Sequence, residues 1–140
     1  MKKLSCLLLS ATFFAVQAFA KIPAKVTDAF QAKYDGATNV EWKHGLGKYK
    51  ANFNMGEYQL QAKFDKEGKW LESEKKLKKD KLPTTVKNSL KKSKYNQWAI
   101  KSSYEEYLPN RKPRYHIVAA KGDFKRKSLL FNHEGQLMNG

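Results

Sequence analysis

The sequence predicts an α+β fold of two tandem units, each a short helix packed on an antiparallel sheet of about four strands. Three observations carry that prediction. A helix-opening pattern occurs twice, as Ile22-Pro23-x-x-Val26-x-x-x-Phe30 and as Leu82-Pro83-x-x-Val86-x-x-x-Leu90. A turn signature also occurs twice, as Phe64-Asp65-Lys66-Glu67-Gly68-Lys69-Trp70 and as Phe131-Asn132-His133-Glu134-Gly135-Gln136-Leu137. Between opening and turn, apolar residues alternate with polar ones. Internal self-similarity of this kind bears on architecture before any local reading does. The turns lie further apart than the openings, so the second unit has the longer middle.

Residues 1–20 read as a cleaved signal peptide. Lys2 and Lys3 precede an apolar stretch from Leu4 to Val16, and Ala18-Phe19-Ala20 is a small-x-small cleavage site. The stretch is shorter than the roughly 20 apolar residues a membrane span needs. Cleavage after Ala20 predicts a periplasmic or secreted chain with no transmembrane segment. The single cysteine, Cys6, falls inside the signal, so neither a disulfide nor thiolate chemistry is expected afterwards. Residues 21–140 then form one domain, with unit one at 21–78 and unit two at 79–140.

Each element follows from local pattern. From Pro23 to Tyr34 the apolar positions recur at three- and four-residue steps, with Pro23 suited to a helix start and Asp35-Gly36 to its end. Asn39 to Trp42 alternates, with Val40 and Trp42 on one side, and His44 to Gly47 is a turn. Tyr49, Ala51, Phe53 and Met55 then alternate with Lys48, Lys50, Asn52 and Asn54. Across Gly56, Tyr58, Leu60, Ala62 and Phe64 alternate with Glu57, Gln59, Gln61 and Lys63. Two adjacent runs of strict period two predict a hairpin with one buried and one wet face. A fourth strand is expected from Lys69 to about Lys76.

The basic run Lys75 to Lys81 reads as a solvated connector or as an edge strand protected by lysines. Pro83 to Ser93 repeats the helix. Trp98 and Ile100 repeat the first strand, which Tyr104 and Tyr107 lengthen. The loop Leu108 to Arg114 accounts for most of the extra length, and strands Tyr115–Lys121 and Phe124–Phe131 follow around Gly122-Asp123. Alternation is poorer here, since Val118-Ala119-Ala120 is apolar on both sides. Either this sheet is covered on both faces or its outer face is a contact surface.

No chemistry of catalysis is legible. A hydrolase needs a nucleophile, a base and an orienting group converging in space. The histidines His44, His116 and His133 fall in a loop, at a strand start and in the repeated turn, and no serine has a nucleophile-elbow pattern. His133 stands where the first turn has Lys66, which argues for an exposed position without chemistry. No His or carboxylate pair has zinc spacing. Asp65-x-Glu67 and Asn132-x-Glu134 offer too few oxygens for calcium, and their reading is turn chemistry. No cofactor, metal or catalytic residue is expected, and the chain reads as a non-enzyme.

The formal net charge is +15, or +13 without Lys2 and Lys3. Such a balance ordinarily prompts a nucleic-acid reading. For an exported chain no nucleic acid is expected, and the cations serve solubility or an anionic partner. Trp42, Trp70 and Trp98 lie near strand starts, at the helix–sheet interface or exposed as contact residues.

The succession Pro-x-x-Val-x-x-x-Phe, Tyr34, Val40-x-Trp42 and Phe64-Asp65-x-x-Gly68-x-Trp70 resembles the PepSY-like, beta-lactamase-inhibitor-like family. The likeness covers nearly all of residues 21–140 as two copies. It implies small periplasmic proteins with tandem helix-and-sheet units, similar to beta-lactamase inhibitory protein, whose sheets form a concave surface that grips an enzyme. The disulfides of that inhibitor are absent here, and no motif carries its contact residues over. The expected function is a non-enzymatic, inhibitor-like binding protein that takes a protein partner on the outer sheet face. The candidate residues are Lys48, Lys50, Gln59, Gln61 and Lys63, with Arg111, Lys112 and Arg114 at a rim. The alternative is an envelope-associated protein held by charge to anionic lipid or polysaccharide.

Overall fold

Both repeated openings are helices, and both lie on the same side of one sheet. The computed structural model describes residues 21–139, so the predicted signal peptide lies outside the described residues. Helix α1 (Ala24–Lys33) follows Pro23 and helix α2 (Thr84–Lys92) follows Pro83. Proline suits that place because its fixed φ is helical and its missing N–H would have no helical partner. The Pro23 carbonyl accepts from the amides of Val26 and Thr27 at 2.9 and 3.1 Å, and the Pro83 carbonyl from Lys87 at 3.0 Å.

The strands are β1 (Thr38–Gly45), β2 (Lys48–Met55), β3 (Tyr58–Asp65), β4 (Trp70–Leu77), β5 (Ala99–Tyr107), β6 (Arg114–Lys121) and β7 (Lys125–Phe131). They pair in chain order as a single seven-stranded sheet, antiparallel throughout. The α+β class therefore stands, but the separate four-stranded sheets do not. Strands β4 and β5 pair from Ser73↔Tyr107 to Leu77↔Ser103 and fuse the two units edge to edge. Unit two has three strands, and its fourth is reduced to the single bridge Phe131↔Leu137, the counterpart of the Phe64↔Trp70 pair. The lysine-rich segment is corrected too. Its first part belongs to a central strand, with both ladders satisfied by neighbours, and only Lys79–Lys81 forms a 3₁₀ turn.

Each helix buries its inner stripe on its own half of the sheet. Val26 and Phe30 pack with Ala51, Phe53, Ala62 and Phe64, while Val86 and Leu90 pack with Leu82, Tyr95, Ile117, Ala119, Leu129 and Phe131. The Phe30 ring meets Phe53 and Trp42 edge-on at centroid distances of 4.9 and 5.3 Å. All three tryptophans join these cores from the rim, and the Trp70 indole also donates to Ser73 Oγ at 2.7 Å. Buried Ser73 is also hydrogen-bonded to the Tyr34 hydroxyl. Between the two cores the sheet is polar, with Lys75 Nζ paired to Glu105 at 2.7 Å.

The duplicated turn keeps its backbone chemistry. Asp65 Oδ1 accepts from the amides of Glu67 and Lys69, both at 2.9 Å, and Asn132 Oδ1 from those of Glu134 and Gln136 at 3.1 and 2.8 Å. Gly68 and Gly135 have φ of +83° and +85°. A Cβ on Gly68 would lie 2.4 Å from the Lys25 carbonyl oxygen, and one on Gly135 would lie 2.6 Å from Thr85 Cβ. The glycine is therefore required twice over, by the left-handed turn and by the first turn of the helix seated on it.

Candidate functional site

The face of the sheet opposite the helices has no described element packed on it. Alternation along β2 and β3 points Ala51, Phe53, Ala62 and Phe64 at α1, and so turns Lys48, Lys50, Asn52, Asn54, Gln59, Gln61 and Lys63 outward. The register carries this face across the fusion: Lys63↔Glu72, Gln61↔Glu74, Glu74↔Glu106, Glu106↔Arg114 and Tyr104↔His116 are cross-strand pairs. The outer face of unit two is likewise uncovered among the described residues, with both helices on the other side. A depression of about 510 Å³ runs across β1 to β5, lined chiefly by Glu41, Asn52, Asn54, Gln59, Gln61 and Tyr104.

The candidate residues are only partly brought together. Lys48, Lys50, Gln59, Gln61, Lys63 and Arg114 share this face. Arg111 and Lys112 sit in the loop at its end, and Lys112 Nζ turns to His133 Nε2 at 3.2 Å, beside the second closing turn. The amides touch one another, Gln61 Nε2 donating to Asn52 Oδ1 at 3.1 Å.

The face is less basic than β2 and β3 alone imply, because β4 and β5 contribute carboxylates. Lys63 pairs with Glu72, and Arg114 pairs with the buried Glu106. His116 Nδ1 lies 3.5 Å from Glu74 Oε1. The bond to Glu74 raises the His116 pKa above its ordinary 6.5, against the opposing effect of burial. The bond to His116 lowers the Glu74 pKa below 4.5, helped by the charges of Lys63 and Lys50.

His116 Nε2 also lies 2.5 Å from Ser128 Oγ. Ser128, His116 and Glu74 thus stand in the order of a hydrolytic relay that the sequence did not announce. Its surroundings are not those of an acyl-transfer site. Ser128 sits in a regular strand opposite Val118, its carbonyl accepts from Asn139, and the Leu130 amide is bound to Asn139 Oδ1. No strained turn presents the hydroxyl, and the nearby amides are committed instead of converging on an oxyanion. The row is a charged feature of the helix-free face. Among the described residues, no group of three or more His, Cys, Asp or Glu side chains is placed to hold a metal ion.

Comparison with known proteins places this geometry. The model of the family described as "Putative beta-lactamase-inhibitor-like, PepSY-like" matches residues 47–139. A "BLIP-like protein" from Bacteroides fragilis is similar in structure, with a TM-score of 0.79 at 23% identity over 87% of this chain and 86% of that one. A DUF2874 family protein from Bacteroides ovatus gives a TM-score of 0.80 at 24% identity, over 85% of this chain and 86% of that one. A protein from Bacteroides eggerthii described as "putative periplasmic" gives 0.79 at 20% identity, over 85% and 87%. At these identities the likeness establishes the fold. No curated protein matches the chain.

Proposed function

The chain belongs to the PepSY-like, beta-lactamase-inhibitor-like family, and from that premise we propose that it is a non-enzymatic periplasmic or secreted protein that binds a protein partner through its helix-free sheet face. The observation that carries this is the size and finish of that face. Six inter-strand spacings of about 4.8 Å and strands of about eight residues at roughly 3.4 Å each give a face of about 29 by 27 Å, or roughly 780 Å². That matches the roughly 800 Å² each partner contributes to a standard protein–protein interface.

The chemistry on the face supports the same reading. Amides at Asn52, Asn54, Gln59 and Gln61 both donate and accept, so they adapt to a polar partner surface. The pairs Lys63–Glu72 and Arg114–Glu106 hold charges in fixed positions, which favours register and selectivity over bulk attraction. Tyr104 gives the depression one aromatic anchor. The fold is shared with a BLIP-like protein, and an inhibitor-like role is the form of partner binding that this likeness favours.

The test is a comparative pulldown from periplasmic extract. The triple variant Lys50→Glu, Gln61→Ala, Lys63→Glu is expected to lose the wild-type partner while keeping its fold by circular dichroism. A folded variant that retained the same partners at the same yield would overturn the proposal.

A further inference from the structure

A second surface lies at the opposite corner of the molecule from the first hairpin turn, at the end of the sheet, with Lys121, Lys125 and Lys127 on the helix side and Arg126 on the open side. The β6–β7 turn (Gly122, Asp123, Phe124) projects Phe124 with 97% of its surface exposed. Lys121 and Lys125 face one another directly across the two strands, Arg126 stands opposite Ala120, and Lys127 opposite Ala119. Lys101 follows the Ile100↔Ala119 pair on the adjoining strand. From Arg114 to Phe131 the only acid is Asp123. Among the described residues, none of these cations lies within ion-pairing distance of a carboxylate.

Stability does not explain this arrangement. Like charges directly opposite on a ladder are destabilising, and a fully exposed phenylalanine contributes no packing. Lysines on β7 would discourage edge-to-edge pairing, but an exposed aromatic beside them works against that role. The corner at the other edge of the sheet, around Leu46, has one opposed pair, Lys43↔Lys50, with Lys48 beside it, against the four cations of the β6–β7 corner. Lys127 lies only two residues beyond Lys125, so the cations of β6 and β7 sit within roughly 7–10 Å of the tip.

We propose that this corner docks the protein on an anionic phospholipid surface, with Phe124 entering the headgroup–acyl boundary and Lys121, Lys125, Arg126 and Lys127 lying against the phosphates. A single aromatic on a projecting turn suits a deformable medium, whereas a protein partner would need a pocket shaped to receive it. Amphipathic rings and basic side chains at such a boundary are the ordinary means of peripheral attachment. The attachment leaves the open face free for a partner, and does not depend on one.

The experiment is sedimentation of the 21–140 chain with vesicles of phosphatidylcholine alone and of phosphatidylcholine with 30% phosphatidylglycerol, at ~0.05 and ~0.5 M salt. Binding is expected only with phosphatidylglycerol and is expected to collapse at the higher salt. Each near-surface cation is worth roughly fivefold, so Lys125→Gln with Lys127→Gln should weaken binding roughly 25-fold. Phe124→Ser should weaken it roughly tenfold. Leu46→Ser alters an equally exposed apolar tip at the far end of the sheet and should change nothing. The charge-neutral Phe124→Ser and Leu46→Ser both sit on exposed turns, so folding is preserved for the comparison. Binding indifferent to Phe124→Ser, equal loss with Leu46→Ser, or equally tight binding to soluble dextran sulfate that ignores Phe124 would each overturn the proposal.

Discussion

Replacing Gly68 by alanine tests the packing logic of the repeat more sharply than any core truncation. Two costs coincide at that position. An L-residue held in the left-handed region costs roughly 1–2 kcal/mol, and φ here is +83°. The new Cβ would also stand 2.4 Å from the Lys25 carbonyl oxygen. That atom is helix backbone and cannot rotate aside, so α1 must lift by about 1 Å off Phe64. Overpacking of this kind costs typically 1–3 kcal/mol. The sum is about 3 kcal/mol for Gly68→Ala, with the same expected for Gly135→Ala. Gly56 supplies the control, because its φ is +57° but a Cβ there meets nothing within 4 Å. Gly56→Ala should therefore cost about 1 kcal/mol. Urea denaturation followed by tryptophan fluorescence reads the difference, and thermal midpoints should fall by about 4 °C and about 12 °C respectively. Equal losses at Gly56 and Gly68 would refute the close-approach argument and leave φ alone to explain the repeated glycine.

Four further outcomes follow from the same contacts. Ser73→Ala leaves the Tyr34 hydroxyl and the Trp70 indole N–H without their shared partner, and should cost about 2 kcal/mol in chemical denaturation. Ser103→Ala should be neutral or stabilising by up to about 1 kcal/mol, because its buried hydroxyl has no partner to lose. For the Glu74–His116 pair, a raised histidine pKa gives stability that is full below its ordinary 6.5 and fades as pH rises through the folded value. A lowered carboxylate pKa gives stability that is full above its ordinary 4.5 and fades as pH falls. His116→Gln should therefore lower the thermal midpoint most between pH 4.5 and 6.5 and least at alkaline pH, and a penalty independent of pH would contradict the pairing. Phe131→Ala, which removes a ring with no exposed surface from the second core, should cost about 4 kcal/mol by the same denaturation assay.

What the sequence made legible was the part of the fold governed by local pattern. Strict alternation from Lys48 to Phe64 placed the β2–β3 hairpin and its wet face, and the paired Pro-x-x-Val openings placed both helices. Asp65 and Asn132 do perform the turn chemistry read for them. The glycine three residues after each, Gly68 and Gly135, has a second constraint, the helix resting on it, that no local reading contains. The fourth strand was legible from Lys69 to about Lys76, but the lysines from Lys75 onward hid its central place, since a side chain that reaches water across Tyr58 and Tyr107 from mid-sheet reads like one on an edge. The fourth strand of unit two was overcounted because one bridging residue, Leu137, carries the same signature as Trp70. Glu74, His116 and Ser128 come from three strands, and only the register across β4 to β7 unites them. The same ignorance of register made the open face seem basic, as Glu72, Glu74 and Glu106 were not yet its neighbours.

The central claim is that the helix-free face is the working surface. Site-specific photocrosslinking measures this most directly, with a photoreactive residue at Gln61 or Tyr104 on that face and, in parallel chains, at Asp28 on α1 or Asn88 on α2. Irradiation in periplasmic extract is expected to give a discrete adduct from Gln61 and Tyr104 and none from the helices. Adducts arising only from Asp28 or Asn88, or equally from all four positions, would contradict the account.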